Sequence, residues 1–152
     1  MKGPPKVLII DDDESIRKVL ASLLQNKGYI VDTAKDGEEA IKKTMMNFYN
    51  LALIDIKLPD MEGIHLLNKL KDSTPKMMKI ILTGHPSLEN AIEAVNKGAD
   101  GYLIKPVNVG ILVKKIAELL KKQEEEQILS EDKVAQFIET RVKQLGHIPK
   151  AQ

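Results

Sequence analysis

Cysteine and tryptophan are absent from the 152 residues, and aromatic side chains are limited to three tyrosines and two phenylalanines. Without cysteine there is no disulfide staple and no thiolate metal site, which suits a reducing compartment. So few aromatics leave no stacking platform for single-stranded nucleic acid. Charge of neither sign prevails: 23 Lys and Arg face 22 Asp and Glu, for a net charge of +1. No global field therefore draws the chain to nucleic acid or to anionic membrane. No apolar run approaches membrane-spanning length, and Met1-Lys2-Gly3-Pro4-Pro5 has no signal-peptide core behind it. The expectation is a cytoplasmic chain that contacts neither membrane nor nucleic acid directly. Its length and its 43% apolar share suit one well-buried domain with a little left over.

What the chain does have is a series of short apolar runs, each followed by a helical pattern. Lys6-Val7-Leu8-Ile9-Ile10 ends in Asp11, Asp12, Asp13 and Glu14. Ile16, Val19, Leu20, Leu23 and Leu24 then recur at helical spacing, closed by Gly28. Tyr29 to Ala34 alternates like a strand with one wetter face. Asp36-Gly37-Glu38-Glu39 reads as a capping box opening a helix to about Met46. Leu51-Ala52-Leu53-Ile54 is a strand buried on both faces, ending in Asp55, and Ile64 to Lys71 is expected as a short helix. Lys79-Ile80-Ile81-Leu82 ends in Thr83-Gly84-His85-Pro86, and Ser87 caps a helix that stops at Gly98. Gly101-Tyr102-Leu103-Ile104 ends in Lys105-Pro106, and Asn108 caps the last helix, with Leu112, Ile116, Leu119 and Leu120 inward. Five strand-then-helix units in strict alternation predict an α/β fold: a doubly wound parallel sheet with helices on both faces.

In a parallel sheet all C-terminal strand ends point the same way, so Asp11-Asp12, Asp55, Thr83 and Lys105 can share one patch. In the flavodoxin-like (βα)5 strand order 2-1-3-4-5, strands one and three flank the switch point, which sets Asp11 and Asp12 beside Asp55. Asp55 alone could be no more than a turn residue, and Asp11-Asp12-Asp13 a solvated turn. Together, three carboxylates so close need a cation among them, and hard oxygen donors suit Mg²⁺. A lysine and a hydroxyl on the same rim complete a set fit for phosphoryl transfer to a carboxylate nucleophile.

From about Lys6 to Lys122 the chain resembles the receiver domains of two-component response regulators, the CheY-like family. The likeness lies in Val7-Leu8-Ile9-Ile10-Asp11-Asp12-Asp13, in Asp55 with Pro59 and Gly63 after it, in Ile81-Leu82-Thr83-Gly84, and in Tyr102-Leu103-Ile104-Lys105-Pro106. The resemblance implies that Asp55 is the phosphoacceptor, receiving its phosphoryl group from a sensor histidine kinase or a phosphotransfer protein by self-catalysed transfer rather than enzymatic turnover. It implies Mg²⁺, with Mn²⁺ as a substitute, held directly by Asp12, through water by Asp11, by Asp55, and by the backbone carbonyl of Lys57. Thr83 and Lys105 would bind the phosphoryl oxygens, Tyr102 would turn inward as Thr83 moves, and the peptide before Pro106 would be cis. The face of the fourth helix, fifth strand and fifth helix would carry the signal. Lys57 and His85 stand where the family varies, and His65 reads as surface.

Two other readings fit part of the pattern. A haloacid-dehalogenase-type phosphohydrolase would make Asp11 the nucleophile of Asp11-Asp12-Asp13-Glu14-Ser15, but it leaves the Asp55 loop unexplained and has no room for a cap domain. An FMN carrier would want Ser, Thr or Gly where the first strand ends in acids that repel phosphate. The receiver is expected over residues 1–122, with residues 123–152 a helical tail beyond Gln123-Glu124-Glu125-Glu126-Gln127. Ser130 is expected to cap a separate helix with a stripe of Val134, Phe137, Ile138, Val142 and Leu145. The tail is too short for a winged-helix output domain. Its stripe would pack on its own domain, on a second chain or on a partner, and a homodimer would form through that helix or through the signalling face if the second holds.

Overall fold

A computed structural model describes residues 3–146. Five parallel strands form one sheet: β1 (Lys6–Ile10), β2 (Ile30–Ala34), β3 (Leu51–Asp55), β4 (Met78–Thr83) and β5 (Gly101–Ile104). Their order is β2-β1-β3-β4-β5, as the alternation of the sequence predicts. Between and after them run α1 (Glu14–Asn26), α2 (Gly37–Met46), α3 (Gly63–Leu66), α4 (Leu88–Asn96) and α5 (Val109–Gly146).

The period-two geometry of a strand explains why the apolar runs are continuous. Val7, Ile9, Leu51, Leu53, Ile80 and Leu82 face α1 and α5, packing on Leu20, Leu24, Leu112 and Ile116. Leu8, Ile10, Ala52, Ile54 and Ile81 face the other way, toward Ala40 of α2, Ile64 and Leu66 of α3 and Ala94 of α4. β3 lies at the centre, and every one of its residues is buried.

Helix ends follow their capping residues. Asp36, Ser87 and Asn108 accept from Glu39, Asn90 and Ile111 N–H at 2.8, 3.0 and 3.0 Å. Gly28 and Gly98 follow α1 and α4 with φ of 95° and 97°, the left-handed conformation glycine adopts without cost. Two elements depart from expectation. α3 has only four residues; beyond it Leu67 and Lys69 N–H bond to carbonyls three residues back, a tightened turn that still buries Leu67 and Leu70. The break expected before Ser130 is absent, and α5 runs unbroken for 38 residues. The Gln-Glu run contains neither Pro nor Gly, and good helix formers there carry the helix across it.

α5 is fastened to the sheet by Gln123, which is 4% exposed. Its Nε2 donates to the carbonyls of Asn50 and Lys76 at 2.9 and 2.7 Å, and its Oε1 accepts from Asn50 Nδ2 at 3.1 Å. Packing therefore reaches into the segment expected as tail. Past it Ile128, Leu129, Val134, Phe137, Ile138, Val142 and Leu145 are all exposed; the stripe does not pack on its own domain. The last six residues of the expected tail, 147–152, lie outside the described residues. No helix among the described residues is long and apolar enough to cross a membrane.

Candidate functional site

Register brings the strand ends together. Ile10 of β1 pairs with Ile54 of β3, so Asp11 leaves β1 beside Asp55, the last residue of β3. Asp55 pairs with Leu82 of β4, and Thr83 with Ile104 of β5, so Thr83 and Lys105 emerge on the next two strands. Asp11, Asp12 and Asp55 each present a carboxylate oxygen, and these oxygens all lie within 4.8 Å of one another.

The three acids occupy different settings. Asp11 is buried, with Oδ1 accepting from Asp13 N–H at 2.9 Å and Oδ2 from Lys105 Nζ at 2.9 Å. Arg17 braces the same turn by donating to the Asp11 carbonyl at 2.7 Å. Asp12 stands exposed at the rim. Asp55 is 8% exposed, with Lys105 Nζ 3.3 Å from its Oδ1 and a long bond of 3.4 Å from Lys57 N–H to the same atom.

Burial, and then the charge of Asp11, push the Asp55 carboxyl above the usual carboxylate range; Lys105 and the Lys57 N–H pull the other way without prevailing. Burial works against the Lys105 ammonium too, but its bond to Asp11 and the charges of Asp11 and Asp55 outweigh it and hold it above the ordinary lysine value. One ammonium thus stands among three carboxylates, two of them buried. The set is short of positive charge, and its hard, clustered oxygens fit a small divalent cation that keeps several waters.

Thr83 is fully buried, its hydroxyl fixed by accepting from His85 N–H at 2.9 Å. Tyr102 lies half-buried against the core cluster beside α4, and its hydroxyl is the only enclosed side-chain polar atom among the described residues without a hydrogen-bond partner. The Lys105–Pro106 peptide is cis. His65 is elsewhere, with Nε2 3.9 Å from Glu93 Oε1 on the surface.

Two acids do what the sequence reading did not assign them. Asp13 is the N-cap of α1, accepting from Ile16 N–H at 3.2 Å; an aspartate immediately before the first helical residue was a sufficient signal. Asp60, in the loop after β3, accepts from Gly37 and Glu38 N–H at the start of α2, at 3.0 and 2.9 Å. No local pattern marks that pairing.

Comparison with known proteins adds the family. The family model described as response regulator receiver domain matches residues 7–117. The transcriptional regulatory protein ZraR of Klebsiella oxytoca is 36% identical over 114 residues, covering 75% of this chain and 26% of its own length. The chain therefore spans about a quarter of that curated relative. A CheY-like response regulator receiver domain from Methanospirillum hungatei JF-1 superposes with a TM-score of 0.78 at 46% identity, over 82% of this chain and 99% of that one. A Burkholderia pseudomallei response regulator, solved with a phosphorylated aspartic acid, calcium ion and citrate, gives a TM-score of 0.68 at 29% identity, over 83% and 74% of the two chains. A family match of that extent, on a sheet whose strand ends gather these acids, makes the chain a member of the response regulator receiver domain family of two-component systems.

Proposed function

We propose that Asp55 accepts a phosphoryl group from the phosphohistidine of a sensor kinase or phosphotransfer protein. The observation that carries this reading is the Asp55 carboxylate at the end of β3, within 4.8 Å of the oxygens of Asp11 and Asp12 and 3.3 Å from Lys105 Nζ. An Asp55 oxygen attacks phosphorus, the phosphorus–nitrogen bond breaks, and the imidazole leaves. Asp12, Asp55 and the Lys57 carbonyl, with Asp11 acting through water, would hold Mg²⁺ or Mn²⁺, which neutralises the phosphoryl oxygens and the crowded carboxylates. Lys105 neutralises the rest as a point charge, and Thr83 donates its hydroxyl to a phosphoryl oxygen. The same groups admit a water that returns Asp55 to its free state, so the protein switches rather than turns over a free substrate.

The switch we infer is a population shift toward the conformer that lets Thr83 and Lys105 grip the phosphoryl group, with Tyr102 following Thr83. Support comes from the enclosed, unpartnered Tyr102 hydroxyl on the strand beside Thr83. The reading surface is α4, β5 and α5, where Leu88, Ile92, Val95, Ile104 and Ile111 are exposed. We place the receiver at residues 1–122 and an output tail at 123–152, Gln123 being the anchor between them. The exposed stripe of α5 favours a second copy of the chain as its partner, with the helices side by side.

The decisive experiment is labelling by a small acyl phosphate with Mg²⁺, wild type against Asp55→Asn. Label confined to wild type is expected, and equal labelling of both overturns the assignment. Label that moves to Asp11 would instead bring back the dehalogenase-type reading.

A further inference from the structure

The loop leaving Asp55 is fastened at its base and at its tip. At the base, Gly63 N–H donates to the Ile56 carbonyl at 2.7 Å, Leu58 N–H to the Met61 carbonyl at 3.2 Å, and Lys57 pairs with Glu62 in an antiparallel bridge. A Cβ on Gly63 would fall 2.2 Å from the Asp55 carbonyl oxygen, so the base closes against the strand itself. At the tip, Asp60 reaches α2: Oδ1 accepts from Gly37 N–H at 3.0 Å and Oδ2 from Glu38 N–H at 2.9 Å. These are the first two amides of the helix, which have no acceptor within it; the third, Glu39, is already served by Asp36. Beside them Met61 fills the space a Cβ on Gly37 would need, its Sδ 2.5 Å from that position. A side chain at 37 would have to displace Met61 from its place against α2. Asp36 alone would make an ordinary N-cap, so the second carboxylate serves the loop as much as the helix.

We propose that Asp60 is a positioning residue for the cation site: by pinning the loop tip to the N-terminus of α2 it fixes the Lys57 carbonyl in its ligand position. This rests on the reading that the Lys57 carbonyl joins Asp11, Asp12 and Asp55 around a divalent ion. A carbonyl ligand has no rotamer with which to adjust, so its placement is only as good as that of its loop. Lys57 sits at the base, two residues from Asp55, and among the described residues the side-chain hydrogen bonds that tie the loop to another element are those of Asp60 to α2. Coupling between sites is reciprocal, so whatever order Asp60 lends the ion, the ion returns to the Gly37 and Glu38 amides.

The test uses the full chain, with Mn²⁺ as probe, followed through the spin-resonance signal of the free ion while circular dichroism confirms that each variant is folded. Asp60→Ala should weaken Mn²⁺ binding about tenfold, the lower end of the range for groups that orient metal ligands. Asp60→Asn, which keeps an acceptor, should fall between it and wild type. Amide exchange at Gly37 and Glu38 should slow on adding Mg²⁺ in wild type and stay unchanged in Asp60→Ala; a residue that only caps α2 would move neither readout. If Asp60→Ala does not fold, Asp60→Asn and Met61→Ala carry the same comparison. Wild-type affinity in the folded Asp60 variants, with Asp12→Asn abolishing Mn²⁺ binding, overturns the proposal and leaves the cation site standing. Wild-type affinity in Asp12→Asn overturns the cation site, and this proposal with it.

Discussion

Asp55 holds a charge that its surroundings resist. Burial and Asp11 raise its pKa, so the folded chain holds that proton more tightly than the unfolded chain does. For an acid shifted in this direction, the stabilising contribution is complete below the ordinary carboxylate value, near pH ~4. It is lost as pH rises through the raised value, where the buried carboxylate must ionise. Lys105 is also shifted upward, but as a base its contribution holds below the ordinary lysine value and fades only in alkali. Metal-free Asp55→Asn should therefore match wild type in acid and become more stable by about 1 kcal/mol at neutral pH, since a crowded buried charge is gone and Lys105 keeps Asp11. Mg²⁺ should reverse the order by stabilising wild type alone through mass action. Urea unfolding at several pH values, with Mg²⁺ and with chelator, measures both; an Asp55→Asn curve that never rises above wild type without metal contradicts the first.

Strands were more legible than loops, for a physical reason. A buried parallel strand must be apolar throughout, so Val7–Ile10, Leu51–Ile54 and Ile80–Leu82 announce themselves, and chain direction then aligns Asp11, Asp55, Thr83 and Lys105. Asp60 could not be read this way, because its partners Gly37 and Glu38 lie 23 and 22 residues away and only the folded sheet brings them near. Gln123 was misleading on its face: inside a run of charge it looks like linker, yet it is a buried triple contact joining α5 to the starts of β3 and β4. Truncating it would take a partner from the Lys76 carbonyl and the Asn50 side-chain amide, while the Asn50 carbonyl keeps Met78 N–H at 3.0 Å. Gln123→Ala should cost about 2 kcal/mol of stability in urea unfolding. It should also speed amide exchange in the turns of α5 on either side, because the helix loses its tie to the sheet. A loss below a few tenths of a kcal/mol would mean that water serves those groups equally well.

α5 changes how the whole molecule has to be viewed. At 38 residues and 1.5 Å per residue the helix is about 57 Å long, yet its last buried side chain among the described residues is Gln123. Most helical stability in proteins comes from packing of an amphipathic face rather than from propensity, so the segment that follows calls for tertiary or quaternary cover. The residues suggest which. Ile128, Ala135 and Val142 recur every seven positions, and Ile138 and Leu145 follow at the three-residue offset, which makes a short seam of the kind that pairs helices. Glu131 interrupts the seam at its start, which limits it to the last turns and predicts modest affinity. In sedimentation the wild-type mass should rise with concentration toward a dimer, and Ile138→Glu should hold it at monomer while leaving acyl-phosphate labelling of Asp55 intact. The substitution is better than truncation at Lys122, which would also remove Gln123 and confound tail with receiver. A wild type that stays monomeric at all concentrations, or a dimer that survives Ile138→Glu, would remove the tail from the output path and leave α4, β5 and α5 as the surface through which phosphorylation is read.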